Sequence, residues 1–193
     1  TFIIFRNAEE KTVTGKNYPQ PYVLTTIHTP WKVKFEERRQ GPKESVVFNT
    51  LTDWITSEDP RIKYYSGTAD YTNTFTIKEI PSQPTYINLG KVVAMAKVYL
   101  NGKYVGGAWT YPYRLNITDY LQKGENTVKI EVVNNWVNRL IGDLKLPAEQ
   151  RSTWTMVNPW RDDSQLQSSG LFGPVRIESH DYELLKFSPL SDN

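Results

Sequence analysis

The chain has 193 residues, 38% apolar and 13% aromatic, with 12 Pro and 11 Gly; that is the size of one β-rich domain, enough to bury a core and too hydrophobic for a disordered chain. Lys and Arg number 23 against 21 Asp and Glu, so the surface field is weak and gives no electrostatic basis for a nucleic acid or an anionic membrane as partner. No run of 18 apolar residues is present for a membrane span, and the absence of Cys excludes disulfides, thiol catalysis and thiolate metal sites.

The chain opens at Thr1, and Phe2 to Phe5 already read as a strand. The start therefore reads as cut from something longer, with residues 1–21 expected to be the end of a preceding region and the whole, 1–193, a single β-sandwich domain. From there the dominant pattern is alternation at period two in short runs, as expected where one face of each strand is buried and the other is wet. Trp31, Val33 and Phe35 alternate with Lys32 and Lys34, and Tyr71, Phe75 and Ile77 alternate with Thr72, Thr74 and Thr76. Ala94, Ala96, Val98 and Leu100 share a face and run into Asn101-Gly102, a dipeptide suited to the positive φ angles of a type I′ hairpin, so Tyr104 and Val105 should pair back.

Beyond Pro112, Leu115 and Ile117 read as a short strand. Thr118 to Gln122 is expected to make one helical turn capped by Thr118, and Gly124-Glu125-Asn126 to turn the chain again. Val128, Ile130 and Val132 alternate with Thr127, Lys129 and Glu131; after a long interval Val175 and Ile177 form a closing strand, and Tyr182 to Phe187 is expected to add one more. Asn116-Ile117-Thr118 matches a glycosylation acceptor but reads as a strand-end polar triplet. Short strands without intervening helices leave a sandwich or a barrel, and the sandwich is preferred. The one anomaly is the stretch from Asn134 to Gly170, read as a loop, because structureless loops beyond about 15 residues are uncommon and often functional.

Four motifs in order carry a resemblance: Tyr64 to Tyr71, Val98 to Gly106 around Asn101-Gly102, Gly124-Glu125-Asn126, and Ser169-Gly170-Leu171-Phe172-Gly173-Pro174-Val175. The series resembles the sugar-binding domain of family 2 glycoside hydrolases. With Trp136 to Asp143 and the opening Phe2 to Arg6 added, it is most similar to the C-terminal region of bacterial family 106 α-L-rhamnosidases. The resemblance implies an all-β fold, a galactose-binding-like jelly-roll β-sandwich, over roughly Trp31 to Ile177. It also implies that the catalytic acids lie in another domain of the same polypeptide, and that a loop Asp, aligned with Asp143, reaches toward the substrate there. Most of the matched residues serve turns, Gly170, Gly173 and Pro174 setting the sharp entry into the last strand, and fold alone does not give function.

Carbohydrates are held by aromatic faces against C–H surfaces and by planar polar side chains that fork onto vicinal hydroxyls. Three of the six Trp, namely Trp136, Trp154 and Trp160, fall in the long loop, with Asn138, Arg139, Asp143, Arg161, Asp162 and Asp163 close by. The candidate carbohydrate-binding set is Asn138, Arg139, Asp143, Trp154, Trp160, Arg161 and Asp162. Structural roles compete with it: Trp136 as a cover on the sandwich edge, Arg139 and Asp143, four apart, as an internal ion pair, Asp162 and Asp163 as solvated charges. Trp109, Tyr111 and Tyr113 are weighed as a second aromatic platform.

Hydrolysis of a glycosidic bond needs two carboxyl groups flanking it, and neither the loop carboxylates nor Asp53, Glu58 and Asp59 show that signature; no catalytic residue is assigned. His28 and His180 are far apart and no Asp-rich calcium loop is present, so no cofactor is expected, with a structural calcium the one metal the fold class admits. The leading expectation is a non-catalytic accessory module of a large exported, extracytoplasmic glycoside hydrolase of the α-L-rhamnosidase type, partnered by the catalytic domain of the same polypeptide and by carbohydrate. Two alternatives stand beside it: an independent module that tethers an enzyme to polysaccharide, and a purely structural spacer.

Overall fold

Alternation sets the layers. In the computed structural model, which describes residues 21–180, β2 (Trp31–Phe35) buries Trp31, Val33 and Phe35 and exposes Lys32 and Lys34. The same rhythm runs through β4 (Thr68–Ile77), where Ala69, Tyr71, Phe75 and Ile77 face inward, and β10 (Gly124–Val133), where Val128, Ile130 and Val132 do. With β3 (Val46–Phe48), β7 (Met95–Leu100) and β8 (Lys103–Ala108) these form a six-stranded antiparallel sheet in the order β3-β2-β4-β10-β7-β8. A four-stranded antiparallel sheet, β1-β12-β5-β9, supplies the other layer from β1 (Pro21–Thr26), β5 (Thr85–Asn88), β9 (Arg114–Asn116) and β12 (Arg176–His180). A two-stranded piece, β6 (Lys91–Val93) with β11 (Gly170–Gly173), flanks them.

Ile87, Leu89, Ile117 and Ile177 meet the inward row of the larger sheet, giving one contiguous core. Phe35, Trp54 and Tyr65 stack edge-on at centroid distances of 4.9 to 5.7 Å, the geometry that aromatic quadrupoles favour. The Trp54 indole N–H donates to the Tyr71 hydroxyl, satisfying the one polar atom of a ring that is 1% exposed. A short helix, α1 (Pro60–Lys63), begins at Asp59, whose carboxylate accepts from the Arg61 amide.

The turn chemistry read from Asn101-Gly102 is present: the two residues take φ of 51° and 79° between β7 and β8. Its side chains do more than turn the chain. The Asn101 amide donates to Asn126 Oδ1 (2.9 Å) and accepts from the Thr127 N–H (2.9 Å), while buried Asn126 donates to the Gln122 carbonyl (2.8 Å) and accepts from its amide (2.9 Å). Two turns distant in sequence are thereby locked together.

Thr118 to Tyr120 forms a 3-10 turn, but Thr118 is not its cap: Ile117 holds that position. The Thr118 hydroxyl accepts instead from the Thr85 amide of β5 (2.9 Å), and Asn116 Oδ1 takes the Thr118 N–H (2.9 Å). The stretch Asn134–Gly170 is not structureless either; it contains α2 (Val137–Leu144) and a 3-10 turn at Ala148–Gln150. The strands expected at Phe2–Phe5 and Tyr182–Phe187 lie outside the described residues.

Asn126→Ala strips four side-chain hydrogen bonds and strands the Gln122 amide and carbonyl. Loss of roughly 2–4 kcal/mol of stability is expected, read as a lowered urea midpoint with an unchanged slope.

Candidate functional site

Val137, Leu140, Ile141 and Leu144 are spaced i, i+3, i+4, i+7, so a helix puts them on one side, and Ile141 is fully buried. The helix begins where Asn135 Oδ1 accepts from the Val137 amide (3.1 Å). Gly142 permits its approach to the sandwich, because a Cβ there would lie 2.6 Å from the Tyr64 ring.

Polar side chains fix the segment at both ends. Asn134 accepts from the Gly67 amide (3.0 Å) and donates to the Tyr65 carbonyl (2.8 Å). Buried Asn138 donates to the Gln167 carbonyl (2.6 Å) and Ser169 Oγ (3.0 Å) and accepts from the Gln167 amide (2.8 Å). Ser169 in turn donates its amide to Asp53 Oδ1 (2.9 Å) and accepts from the Trp54 amide (3.0 Å).

Arg139 and Asp143, one turn apart on α2, form a buried ion pair at 2.7 Å. Asp143 Oδ2 also accepts from the amides of Ser152 (2.9 Å) and Thr153 (2.8 Å) and from the Thr153 hydroxyl (2.7 Å), folding the chain after α2 back onto the helix. Burial by itself raises the Asp143 pKa; the hydrogen bonds from Thr153 and Ser152 and the Arg139 charge outweigh it and hold the carboxyl below its ordinary value.

Between α2 and the returning chain lies a groove of about 400 Å³, with Leu140, Asp143, Leu144, Arg151, Thr153 and Trp154 among its walls. Trp154 is 82% exposed, and Met156 and Val157 beyond it are exposed too. Of the seven expected site residues, Asp143 and Trp154 meet at this groove and Arg139 joins through Asp143, whereas Asn138 faces the staple to Gln167 and Ser169. Trp160, half-buried, and the exposed Arg161 and Asp162 do not line it. Arg161 pairs with Asp163 at 3.3 Å, and the Asp162 carbonyl accepts from the Lys145 ammonium.

Trp136 does not cover the sandwich edge: it is 61% exposed, because it precedes α2 and the buried residues of that helix begin at Asn138. Of the second aromatic group, Trp109 and Tyr111 are exposed, while Tyr113 is half-buried against the core. Sequence reasoning missed Arg151 and Thr153; a Ser-Thr pair supplying two amides and two hydroxyls near an acidic helix residue is the signal that was there to find. Among the described residues no group of three or more His, Asp or Glu is placed to hold a metal ion, and no helix is long and apolar enough to cross a membrane.

Two antiparallel sheets packed face to face, with an ordered excursion between β10 and β11, define a galactose-binding-like β-sandwich of the kind found in glycoside hydrolases. The chain belongs to the glycosyl hydrolase 2 galactose-binding domain-like family, whose model matches residues 31–165. A rhamnosidase from Novosphingobium sp. PP1Y superposes with a TM-score of 0.79 at 38% identity, over 90% of this chain and 16% of that one. A candidate β-glucuronidase of Formosa agariphila is 34% identical over 90% of this chain. A β-galactosidase of Priestia megaterium is 31% identical over 98% of it. The chain spans only 17% and 18% of the lengths of those two proteins.

Because the Asp143 pKa is depressed in the folded state, its contribution is present above the unfolded value near 3.8 and is lost as pH falls through the lower folded one. The protection factors of the Ser152 and Thr153 amides, taken relative to intrinsic exchange at each pH, should therefore fall in acid, below about pH 4. In Asp143→Asn the protection should already be weak at neutral pH, with roughly 3 kcal/mol of stability gone.

Proposed function

We propose that this chain is a non-catalytic accessory domain of a larger, exported glycoside hydrolase of the α-L-rhamnosidase type, and that its α2 excursion lends a wall to the substrate site of a catalytic domain on the same polypeptide. The observation that carries the reading is Trp154, 82% exposed beside the groove and held there by a buried ion pair and a clasp of four hydrogen-bond donors. A large aromatic ring kept in water has lost the stabilisation of burial, about 2–3 kcal/mol for a side chain of this size. A sugar's C–H face restores that contact in a bound complex.

Asp143 acts here as a positioning residue, its oxygens being committed to the loop, and Arg151, Thr153, Thr155 and Asn158 are polar residues that line the groove with Trp154 and can meet hydroxyls. The rhamnosidase match at 38% identity supports the α-L-rhamnoside class over the β-glucuronide and β-galactoside classes named for the sequence relatives. Degradation of exported or extracellular polysaccharide, and with it an extracytoplasmic location, follows from the same reading.

The test uses chromogenic aryl α-L-rhamnoside, β-glucuronide and β-galactoside. The 193-residue chain should cleave none of them. In the longer polypeptide, Trp154→Ala should lower kcat/KM for the rhamnoside by about tenfold, the loss of one good stacking contact. Turnover by the chain alone would sink the accessory reading, and an unchanged kcat/KM in the variant would leave the structural spacer.

A further inference from the structure

The outer face of the six-stranded sheet carries a second, independent arrangement. Gly107, Lys97, Glu131, Asp70 and Lys34 are direct cross-strand neighbours from β8 to β2, so five side-chain positions lie in one row across the sheet. At about 4.8 Å per strand the row spans roughly 19 Å. All five face away from the core, alternating with buried Ala108, Val98, Val132, Tyr71 and Val33.

At the β8 end the row meets an aromatic shelf. A register shift between Val98 and Tyr99 brings Tyr104 opposite Tyr99 and Gly107 opposite Lys97, placing Tyr104, Gly107 and Trp109 on the same face. Gly107 leaves bare backbone between the two rings: a Cβ there would sit 3.7 Å from the Tyr104 hydroxyl and 3.8 Å from Trp109 Cζ3. Tyr104 and Trp109 are 54% and 69% exposed, so both rings that flank Gly107 are open to solvent.

At the other end the row opens into a cavity of about 510 Å³ with Glu36, Glu37, Asp70 and Glu131 in its walls against Lys34 and Arg38. Glu36 is paired with Arg38 and Glu131 with Lys129. The Asp70 carboxylate makes no side-chain hydrogen bond or salt bridge among the described residues; burial raises its pKa, and the nearby Lys129 charge works against that. The Asp70 oxygens stay within reach of solvent and are free to accept hydroxyl donors, and the row itself, Lys97, Glu131, Asp70 and Lys34, carries no net charge to attract a polyanion.

We infer that this face binds a neutral oligosaccharide laid across the strands, with one sugar seated in the Gly107 slot between Tyr104 and Trp109 and hydroxyls of a later unit donating to Asp70. The site is separate from the α2 groove and does not depend on the role proposed for it.

Calorimetry of the 193-residue chain with cellohexaose, xylohexaose and a galactan hexasaccharide tests it, with oligogalacturonate as the acidic comparison. At least one neutral hexasaccharide should bind with Kd below about 1 mM. Trp109→Ala should weaken it about tenfold. Gly107→Leu, whose Cβ meets only ordinary contacts, should abolish it by filling the slot with both rings intact, and Trp136→Ala, at an exposed ring that lines neither site, should leave it unchanged. Absence of binding by all three neutral sugars, equal affinity in Gly107→Leu, or tighter binding of oligogalacturonate overturns the inference. Loss in Trp154→Ala with retention in Trp109→Ala moves the binding to the α2 groove and likewise overturns it.

Discussion

The convergence at Ser169 is the constraint on which the functional half of the molecule depends. A chain that leaves β10 at Asn134 and returns at Gly170 has a large loop-closure entropy to overcome, and Ser169 is where it is closed. Asn138 reaches its hydroxyl from α2, while Asp53 and Trp54 hold its amide and carbonyl against the sandwich. Gly170 completes the seat with φ of 107° and no side chain, since a Cβ there would lie 2.6 Å from the Trp54 indole nitrogen. Trp54 is itself fixed by Phe35, Tyr65 and Tyr71, so the position of the excursion is inherited from the aromatic core rather than set by the excursion.

Within that closed frame the Arg139–Asp143 pair plays a different part. Removing two charges from water costs several kcal/mol per ion, and a single contact rarely repays it. Here the carboxylate gains two amides and two hydroxyls in addition, which together define where Ser152 and Thr153 lie and hence where Trp154 emerges. Removing either partner leaves the other charge buried and uncompensated, so the loss on breaking the pair exceeds what the pair itself contributes. Arg139 shows the residual cost: its Nε is buried without a partner.

What was legible in the sequence follows from the range of the interactions. Strands with a wet face and a dry face declare themselves by alternation, as β2, β4, β7 and β10 do, and Asn101-Gly102 announces its turn through backbone sterics alone. β3 and β6 have only three residues each, too few for a period to register. The helical spacing of Val137, Leu140, Ile141 and Leu144 is present in the sequence, but Trp136 and the preceding asparagines carry the look of a loop and mask it. Contacts such as Ser169 with Asp53, or the clasp of Asp143 by Ser152 and Thr153, have no local signature. The inclusion of Asp143 and Trp154 among the site candidates came from residue chemistry; the exclusion of Asn138, Trp160, Arg161 and Asp162 from the groove required coordinates.

The register shift in β8 has a consequence apart from ligands. β8 is an edge strand of the six-stranded sheet, and a regular, flat edge is a template for a strand of another molecule. Two adjacent glycines and a register break give β8 a local twist and weak strand propensity, and at the opposite edge β3 is only three residues long. Both borders of the larger sheet are thereby poor templates for chain-to-chain pairing, on a module with several solvent-exposed aromatic residues.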